Sequence, residues 1–276
     1  MLHILLLAAA IQAAEPEQEQ EGETGASPWQ AEIYSNFTGW TPEELAERDP
    51  WDLAHRCGGS LIANGWVLTA AHCIDQAKVD KGYRVRLGAD YLDNDEGVTF
   101  RIDRMVRHAD WNKAEHLYDI ALIHYVADKD THVGSAGPIA PIPLYDGPPL
   151  DAGVDVYASG WGQAEEGKDK GFQAELTAVD LRTVDCADYP QYEGKTRDYQ
   201  MCATGRTPGD DADTCTGDSG GPLVLDDPQV LVGVVNWGIG CYRADSAGVY
   251  LRIDNEHFRD WIARAMAAAP TVNELR

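Results

Sequence analysis

The sequence predicts an all-β protein that ends in one α-helix. From Pro28 onward, short apolar runs alternate with Gly, Pro, Asn and Asp, which is the pattern of strands joined by turns. Near the C terminus, apolar residues recur at helical spacing, which predicts a helix over 255–268 that docks through Phe258, Trp261, Ile262 and Met266. A length of 276 residues exceeds that of a usual domain, but all-β barrel proteins of this size fold as one unit.

Eight apolar runs are expected to form strands: 31–34, 60–62, 66–69, 84–87, 120–125, 154–158, 222–225 and 230–236. Residues 41–54 have the character of a surface insertion, with a helical turn opened by Thr41 and Pro42. Residues 134–149 are rich in Gly and Pro and have no period. They therefore predict a link between two lobes.

The N-terminal residues predict export. Residues 2–14 are apolar apart from His3 and Gln12 and end in small residues, which suits the core of a signal peptide and is too short to span a bilayer. We therefore assign 1–14 to a signal peptide, although no Lys or Arg precedes the apolar run, which leaves open a start further upstream. Residues 15–27 are polar and acidic and predict a flexible lead-in.

The charge balance narrows the choice of partners. Net charge is −24, from 22 Lys and Arg against 46 Asp and Glu, which argues against binding to nucleic acid or to an anionic membrane surface. A solubility trait of a secreted protein is the favoured interpretation, and attraction of cationic peptides is the alternative.

Cysteine usage agrees with export. The six cysteines are Cys57, Cys73, Cys186, Cys202, Cys215 and Cys241. An even count in an exported chain predicts three disulfides, formed in an oxidising compartment, with 15 possible pairings. A zinc site is disfavoured because the sequence has no Cys-x-x-Cys pair.

Four segments in a fixed order carry the chemistry: Cys57-Gly-Gly-Ser-Leu-Ile62, Thr69-Ala-Ala-His-Cys73, Asp119-Ile-Ala-Leu122 and Gly217-Asp-Ser-Gly-Gly-Pro222. Together they resemble the trypsin/chymotrypsin-like serine endopeptidases. Further matches are Trp29-Gln30, Gly160-Trp161-Gly162, Trp237-Gly238 and Gly248-Val249-Tyr250. The resemblance runs from about residue 28 to the C-terminal helix. It implies two antiparallel six-stranded β-barrels, over about 28–133 and 134–254, with the active site between them.

The resemblance assigns a catalytic triad to His72, Asp119 and Ser219. A serine hydroxyl is a poor nucleophile near neutral pH, so a base such as His72 must accept its proton during attack. Asp119 would hold the imidazole in the correct tautomer and stabilise the cation that forms. The backbone N–H groups of Gly217 and Ser219 would bind the oxyanion. No metal or organic cofactor is implied.

Asp213 predicts specificity for Lys or Arg. It stands six residues before Ser219, where the family has the floor of its primary specificity pocket, and a buried carboxylate there favours a cationic side chain. Gly238 and Gly248 match the pocket walls. The alternative, that Asp213 merely belongs to the acidic loop 210–213, is disfavoured by this offset.

The resemblance also implies how substrate binds along the cleft. An extended peptide would pair with the backbone at Asn236, Trp237 and Gly238. Asn236 stands where relatives carry Ser, and we expect it to donate a hydrogen bond towards Asp119. The insertion 41–54 would lie near the leaving-group side of the cleft.

The disulfide pairing carried over from the family is Cys57–Cys73, Cys186–Cys202 and Cys215–Cys241. A further bridge that is common in relatives would join the positions held here by Val156 and Leu225. Both cysteines of that bridge are missing together, which supports the alignment.

The N-terminal segment departs from the family. Its members begin with an Ile-Val-Gly-Gly-like sequence released after Arg or Lys, and the new amine pairs with the Asp beside the serine, here Asp218. Where that start belongs, this chain has Pro16-Glu-Gln-Glu19, and its first Lys or Arg is Arg48. We expect activity without tryptic activation, with Asp218 partnered by another group or by an end that signal peptidase creates. The alternative is an inert or zymogen-like binding relative.

The remaining expectations concern ligands and partners. Asp90, Asp93, Asp95 and Glu96 occupy a loop that binds calcium in some relatives, but Ala89 replaces a ligand, so a solvated acidic loop is favoured. The expected partners are polypeptides with Lys or Arg at the cleavage site, and the expected protein is a secreted monomer.

Overall fold

The computed structural model describes residues 27–167, 170–207, 209–268 and 273–276. The strands are β1 (Gln30–Tyr34), β2 (His55–Ala63), β3 (Trp66–Thr69), β4 (Arg84–Leu87), β5 (Val98–His108), β6 (Ala121–Val126), β7 (Asp155–Gly160), β8 (Thr177–Val184), β9 (Gln200–Gly205), β10 (Pro222–Leu225), β11 (Val230–Trp237), β12 (Gly248–Arg252) and β13 (Glu274–Leu275). The helices are α1 (Pro42–Glu47), α2 (Pro50–Ala54), α3 (Gln76–Asp80) and α4 (Glu256–Ala267). The signal-peptide prediction and nearly all of the lead-in fall outside the described residues.

The strands form two closed antiparallel barrels. In the first, the order is β5-β4-β1-β2-β3-β6, and pairing of β5 with β6 closes it. In the second, the closed order is β10-β11-β12-β9-β8-β7. The two six-stranded barrels and the C-terminal helix expected from the resemblance are thus confirmed. The short strand β13 is an addition, and it pairs in parallel with β5.

The largest apolar cluster takes residues from both barrels, and α4 packs into it. The helix starts at Asn255, whose side chain accepts a hydrogen bond from the backbone N–H of His257, so the free N–H groups of the first turn are partly satisfied. Its apolar face buries Phe258 and Trp261 in this cluster, which holds most of the buried apolar residues of the first barrel, although the helix directly follows the second barrel. Fully burying such side chains stabilises the fold by about 1.5–3 kcal/mol each.

The insertion forms two short helices, α1 and α2, rather than one helical turn. Thr41 and Glu44 make a reciprocal capping box at the start of α1, in which each side chain binds the other residue's backbone N–H. Asp52 in α2 is buried and accepts a hydrogen bond from Phe172 N at 2.7 Å. The insertion is therefore tied to a loop of the second barrel.

The three disulfides join Cys57 to Cys73, Cys186 to Cys202 and Cys215 to Cys241, which confirms the expected pairing. The register of β7 with β10 pairs Ala158 with Leu223 and Tyr157 with Val224. Val156 and Leu225 are the next residues of the two strands, and both side chains belong to or pack against the apolar cluster of the second barrel. Apolar packing thus stands where the resemblance implied a further bridge.

None of the helices in the described part of the chain combines the length and apolar character that crossing a membrane requires.

Candidate active site

The loop that carries Ser219 packs directly on the first barrel. Gly58 N donates to Ser219 O at 2.9 Å, and Cys73 Sγ lies 3.5 Å from the same oxygen. Gly220 has a φ of +80° and lies so close to Thr69 Oγ1 that a Cβ would overlap it. Only glycine fits this position, and the close packing brings Ser219 beside the residue that follows His72.

His72 and Asp119 form the contact expected of a base and its orienting carboxylate. His72 Nδ1 lies 2.7 Å from Asp119 Oδ2, and His72 N donates to Asp119 Oδ1 at 2.9 Å. Asp119 is completely buried, whereas His72 is partly exposed at the cleft. Since Nδ1 faces a carboxylate, it carries the proton in the neutral imidazole, and Nε2 is left as the acceptor.

Ser219 lies next to this pair without yet bonding to it. Within the described residues, no hydrogen bond joins Ser219 Oγ to His72 Nε2. Serine–histidine contacts are often long in structures without substrate and shorten when substrate binds. The structure therefore brings His72 and Asp119 into contact and the nucleophile loop alongside, with the third contact open.

The expected oxyanion donors are both unengaged. The peptide between Thr216 and Gly217 is fixed through its carbonyl, which accepts from Gln163 N at 2.9 Å. The next peptide is fixed at both ends, since Asp218 N donates to Cys215 O at 3.0 Å and Gly217 O lies 3.1 Å from His55 Nε2. Gly217 itself has a φ of +105°. In the described part of the chain no hydrogen bond uses the N–H of Gly217 or Ser219, so both remain available to an oxyanion.

Asp218 is held by the backbone. Its carboxylate accepts from Gly162 N and from Cys215 N, each at 2.8 Å. A Cβ on Gly160 or Gly162 would overlap these carboxylate oxygens, which explains the Gly-Trp-Gly motif. Burial raises the pKa of Asp218, while the backbone N–H groups and the nearby His55 lower it.

Beside Ser219 lies a cavity of about 210 Å³, whose lining includes Trp237, Gly238 and Gly248. Asp213 borders an adjoining cavity of about 60 Å³ together with Asp218. The two cavities share Thr214 in their linings, and a Cβ on Gly248 in the larger one would sit 2.9 Å from Asp213 Oδ1. Glycine at this position leaves the larger cavity open towards the carboxylate.

Asp213 is a strongly perturbed carboxyl. Burial raises its pKa to about 7, the backbone N–H of Thr214 opposes the shift, and the charge of Asp218 adds to it. The only hydrogen bond that Asp213 receives from the described residues comes from Thr214 N, at 2.8 Å. Asp213 thus has little compensation for its charge.

Asn236 reaches Asp119, but not at the carboxylate. Asn236 Nδ2 donates to the backbone carbonyl of Asp119 at 3.1 Å. The expected hydrogen bond therefore exists, and it supports the main chain of the triad residue rather than its side chain.

Several site residues were missed by the sequence reasoning. Glu166 lines the larger cavity, and Gln163, His55, Glu32 and Phe172 surround the Gly217 loop. Gln163 follows the Gly-Trp-Gly motif directly, so proximity to a motif could have indicated it. The others lie outside the motifs, and no local pattern marks them.

Two closed barrels that bring a His–Asp pair to a serine-bearing loop define a serine endopeptidase. The trypsin family model matches residues 17–262, and the chain belongs to that family. It is 31% identical to tissue-type plasminogen activator of Bos taurus over 247 residues, covering 85% of this chain and 41% of that protein. It is 34% identical to Trypsin 5G1 of Aedes aegypti over 212 residues, covering 76% of this chain and 74% of that one.

Among solved structures, mouse neuropsin, described as a serine protease expressed in the limbic system of the brain, matches with a TM-score of 0.67 and 30% identity. The match covers 87% of this chain and 94% of neuropsin. The chain thus spans less than half of the plasminogen activator but nearly all of the neuropsin chain. The three disulfides fit an oxidising compartment.

Proposed function

We propose that the protein is a secreted endopeptidase that cleaves polypeptides after Lys or Arg, with His72, Asp119 and Ser219 as its triad. The observation that carries the proposal is the His72–Asp119 pair at 2.7 Å beside the Ser219 loop, whose two oxyanion donors make no hydrogen bond to any residue that the structure describes.

In the proposed reaction, Ser219 Oγ attacks the scissile carbonyl carbon as His72 Nε2 takes its proton. Asp119 stabilises the resulting imidazolium. The carbonyl oxygen becomes negative and accepts hydrogen bonds from Gly217 N and Ser219 N, each typically worth about 10²–10³ in rate. The imidazolium then protonates the leaving amine as the C–N bond breaks and the acyl ester forms. Water then attacks the ester carbon as His72 takes its proton, and the imidazolium returns that proton to Ser219 Oγ as the ester C–O bond breaks and the acid product leaves.

Specificity for Lys or Arg rests on Asp213. A buried carboxylate without a cationic partner is costly, so a substrate ammonium or guanidinium that reaches it compensates the charge. Glu166 lines the cavity beside Ser219 and adds a second negative charge there. Phe or Ala at this position of the substrate would leave Asp213 uncompensated.

Matched peptides that differ only in Arg, Lys, Phe or Ala at the cleavage position test the proposal. We expect kcat/KM to be highest for Arg and Lys, and Ser219→Ala to lower kcat by about 10⁶. Preference for Phe would refute the role of Asp213. Turnover by Ser219→Ala at the parent rate would exclude Ser219 as the nucleophile.

The open contact between Ser219 and His72 keeps an inert binding relative as the second candidate, although family membership does not favour it. A serine-directed phosphonate separates the two, since only a competent site is labelled quickly and stoichiometrically. Secretion and a monomeric state belong to the proposal as well. N-terminal sequencing of the secreted protein and its elution volume in gel filtration test them.

A further inference from the structure

The insertion 41–54 reaches the loop of the oxyanion donors through a second loop, residues 170–173. Asp52 in α2 accepts a hydrogen bond from Phe172 N at 2.7 Å, and its side chain is only 8% exposed. A Cβ on Gly171 would lie 3.0 Å from Asp52 Oδ2, so the backbone of loop 170–173 runs directly past this carboxylate. The insertion therefore holds the backbone of that loop.

Arg48 binds both members of this contact. Its Nε and Nη2 donate to the two carboxylate oxygens of Asp52 at 2.5 and 2.6 Å, and Nη2 also donates to Asp52 O at 3.2 Å. A bidentate pair of this kind fixes the orientation of both partners as well as their distance. The guanidinium carbon lies 5.1 Å from the centre of the Phe172 ring, within the range of cation–π attraction. Arg48, Asp52 and Phe172 thus form one unit, which we call the clamp.

The ring of Phe172 lies against Gly217. A Cβ on Gly217 would sit 2.8 Å from both Cδ1 and Cε1 of the ring and 3.0 Å from Gly162 Cα. The ring and the Gly162 backbone therefore fill the space beside Gly217 Cα, and the peptides on either side of Gly217 cannot rotate in that direction without a collision. The contact restricts the direction in which Gly217 N–H points.

Trp51, the neighbour of Asp52 in α2, makes a second contact with the same region. It packs against the small apolar cluster that contains Trp161. Trp161 directly precedes Gly162, whose N–H donates to Asp218 Oδ1 at 2.8 Å. Two adjacent side chains of α2, one polar and one apolar, thus support the loop that carries Gly217 and Asp218.

We propose that the clamp is a positioning device, in which Arg48 and Asp52 hold the Phe172 ring against Gly217 and so keep Gly217 N–H directed into the cleft. The inference rests on the proposed function. It assigns the insertion a role in the reaction, in a chain that has Pro16-Glu-Gln-Glu19 where relatives have their Ile-Val-like start. The three residues of the clamp act through Gly217, without touching the reacting atoms.

Phe172→Ala tests the clamp in turnover. The substrate is an Arg peptide p-nitroanilide, so that no residue of a leaving peptide contacts Phe172, and titration with a serine-directed phosphonate gives the concentration of competent sites in each variant. A complete oxyanion donor is worth about 10²–10³ in rate. We therefore expect a Gly217 N–H that is no longer held to lower kcat about tenfold, with KM within about twofold, because the oxyanion forms only in the transition state. Phe172→Tyr retains the ring and should keep kcat within about twofold of the parent.

Arg48→Met and Arg252→Met form a matched pair. Arg252 binds both carboxylate oxygens of Asp254, at 2.9 and 2.7 Å, and Asp254 likewise accepts a backbone N–H, from Leu150. Both Arg side chains also donate to a backbone carbonyl. Arg252 lies at the opposite end of β12 from Gly248, which lines the cavity beside Ser219. We expect Arg48→Met to lower kcat about threefold or more, and Arg252→Met to retain the parent kcat even if it costs similar stability.

Hydrogen exchange tests the clamp without turnover. In the loop 215–221, three amides donate to backbone carbonyls: those of Asp218, Gly220 and Gly221. Their exchange rates report how often the loop opens. In the Ser219→Ala chain with oxidised disulfides, we expect Phe172→Ala to speed up exchange over 215–221 several-fold, and Phe172→Tyr to leave it unchanged.

The outcomes separate this inference from the proposed function. Exchange at the parent rate in Phe172→Ala, a kcat that stays within about twofold of the parent, or equal effects of Arg48→Met and Arg252→Met would each overturn the role of the clamp. If exchange over 215–221 rises as expected but the parent protein hydrolyses no peptide, the hold of the clamp on Gly217 stands and the proposed function alone fails.

Discussion

Replacing Asp213 with Asn should increase the stability of the protein, and the gain should depend on pH. Burial raises the pKa of Asp213 to about 7, against about 3.9 for an unfolded aspartate. The folded state therefore binds the proton more tightly than the unfolded state. Stability from this group is fully present at low pH and is lost as the pH rises through about 7.

The size of the effect follows from these two values. Well above pH 7, ionisation of Asp213 costs about 4 kcal/mol of unfolding free energy. Between pH 5 and pH 8 the loss is about 2.5 kcal/mol, because part of the cost is already present at pH 5. Asn at this position has no such dependence, so the advantage of Asp213→Asn over the parent should grow by about 2.5 kcal/mol over this range.

Urea unfolding of both proteins at pH 5 and pH 8 measures the difference, with Ser219→Ala in each to prevent self-digestion. Asp211→Asn, an exposed position in the same loop, is the control, and its difference from the parent should stay constant. Parallel pH curves for Asp213→Asn and the parent would refute the reasoning, because they would mean that Asp213 ionises normally in the fold.

Three further predictions follow from buried groups and from net charge. Burial, with repulsion from His257, lowers the pKa of His108 to about 4. The neutral His108 therefore contributes up to about 3 kcal/mol to the unfolding free energy above pH 6.5, and this contribution is lost as the pH falls towards 4. Urea unfolding of His108→Phe should show a correspondingly smaller loss of stability in acid, and a loss equal to that of the parent would contradict this. Asp52→Ala should lower the unfolding free energy by about 1–3 kcal/mol, since it leaves Phe172 N–H without its partner, whereas the exposed Asp49→Ala should cost less than about 0.5 kcal/mol. With a net charge of −24, kcat/KM for a cationic peptide should fall several-fold between about 20 mM and 0.5 M NaCl; a neutral peptide that falls equally would remove the electrostatic explanation.

The strands and site residues that lie in contiguous sequence motifs were the ones best predicted from the sequence. Each of the eight apolar runs coincides with or overlaps a strand, and the disulfides followed from the family alignment. Strand β5 was not among those runs because charged residues such as Arg101 and Asp103 alternate with its apolar ones. Those charges lie on the outer face of the barrel, where water solvates them.

Contacts between distant residues could not be predicted. His55 meets Glu32 across 23 positions and Gly217 across 162, and no periodicity links positions that far apart. Asn236 was expected near Asp119, but only the fold determines that its amide binds the backbone rather than the carboxylate. The close approach of Asp213 to Gly248, on the lining of the larger cavity, likewise follows only from the fold.

Helix α4 limits how this protein can be dissected. The apolar cluster that holds most of the buried residues of the first barrel is completed by residues more than 100 positions away, since Phe258 and Trp261 belong to it. A fragment comprising only the N-terminal half would expose the apolar surface that receives them and would tend to aggregate. Complementation by mixing two half-chains should therefore succeed only if the C-terminal half retains the helix, so that the lobes assemble as one cooperative unit.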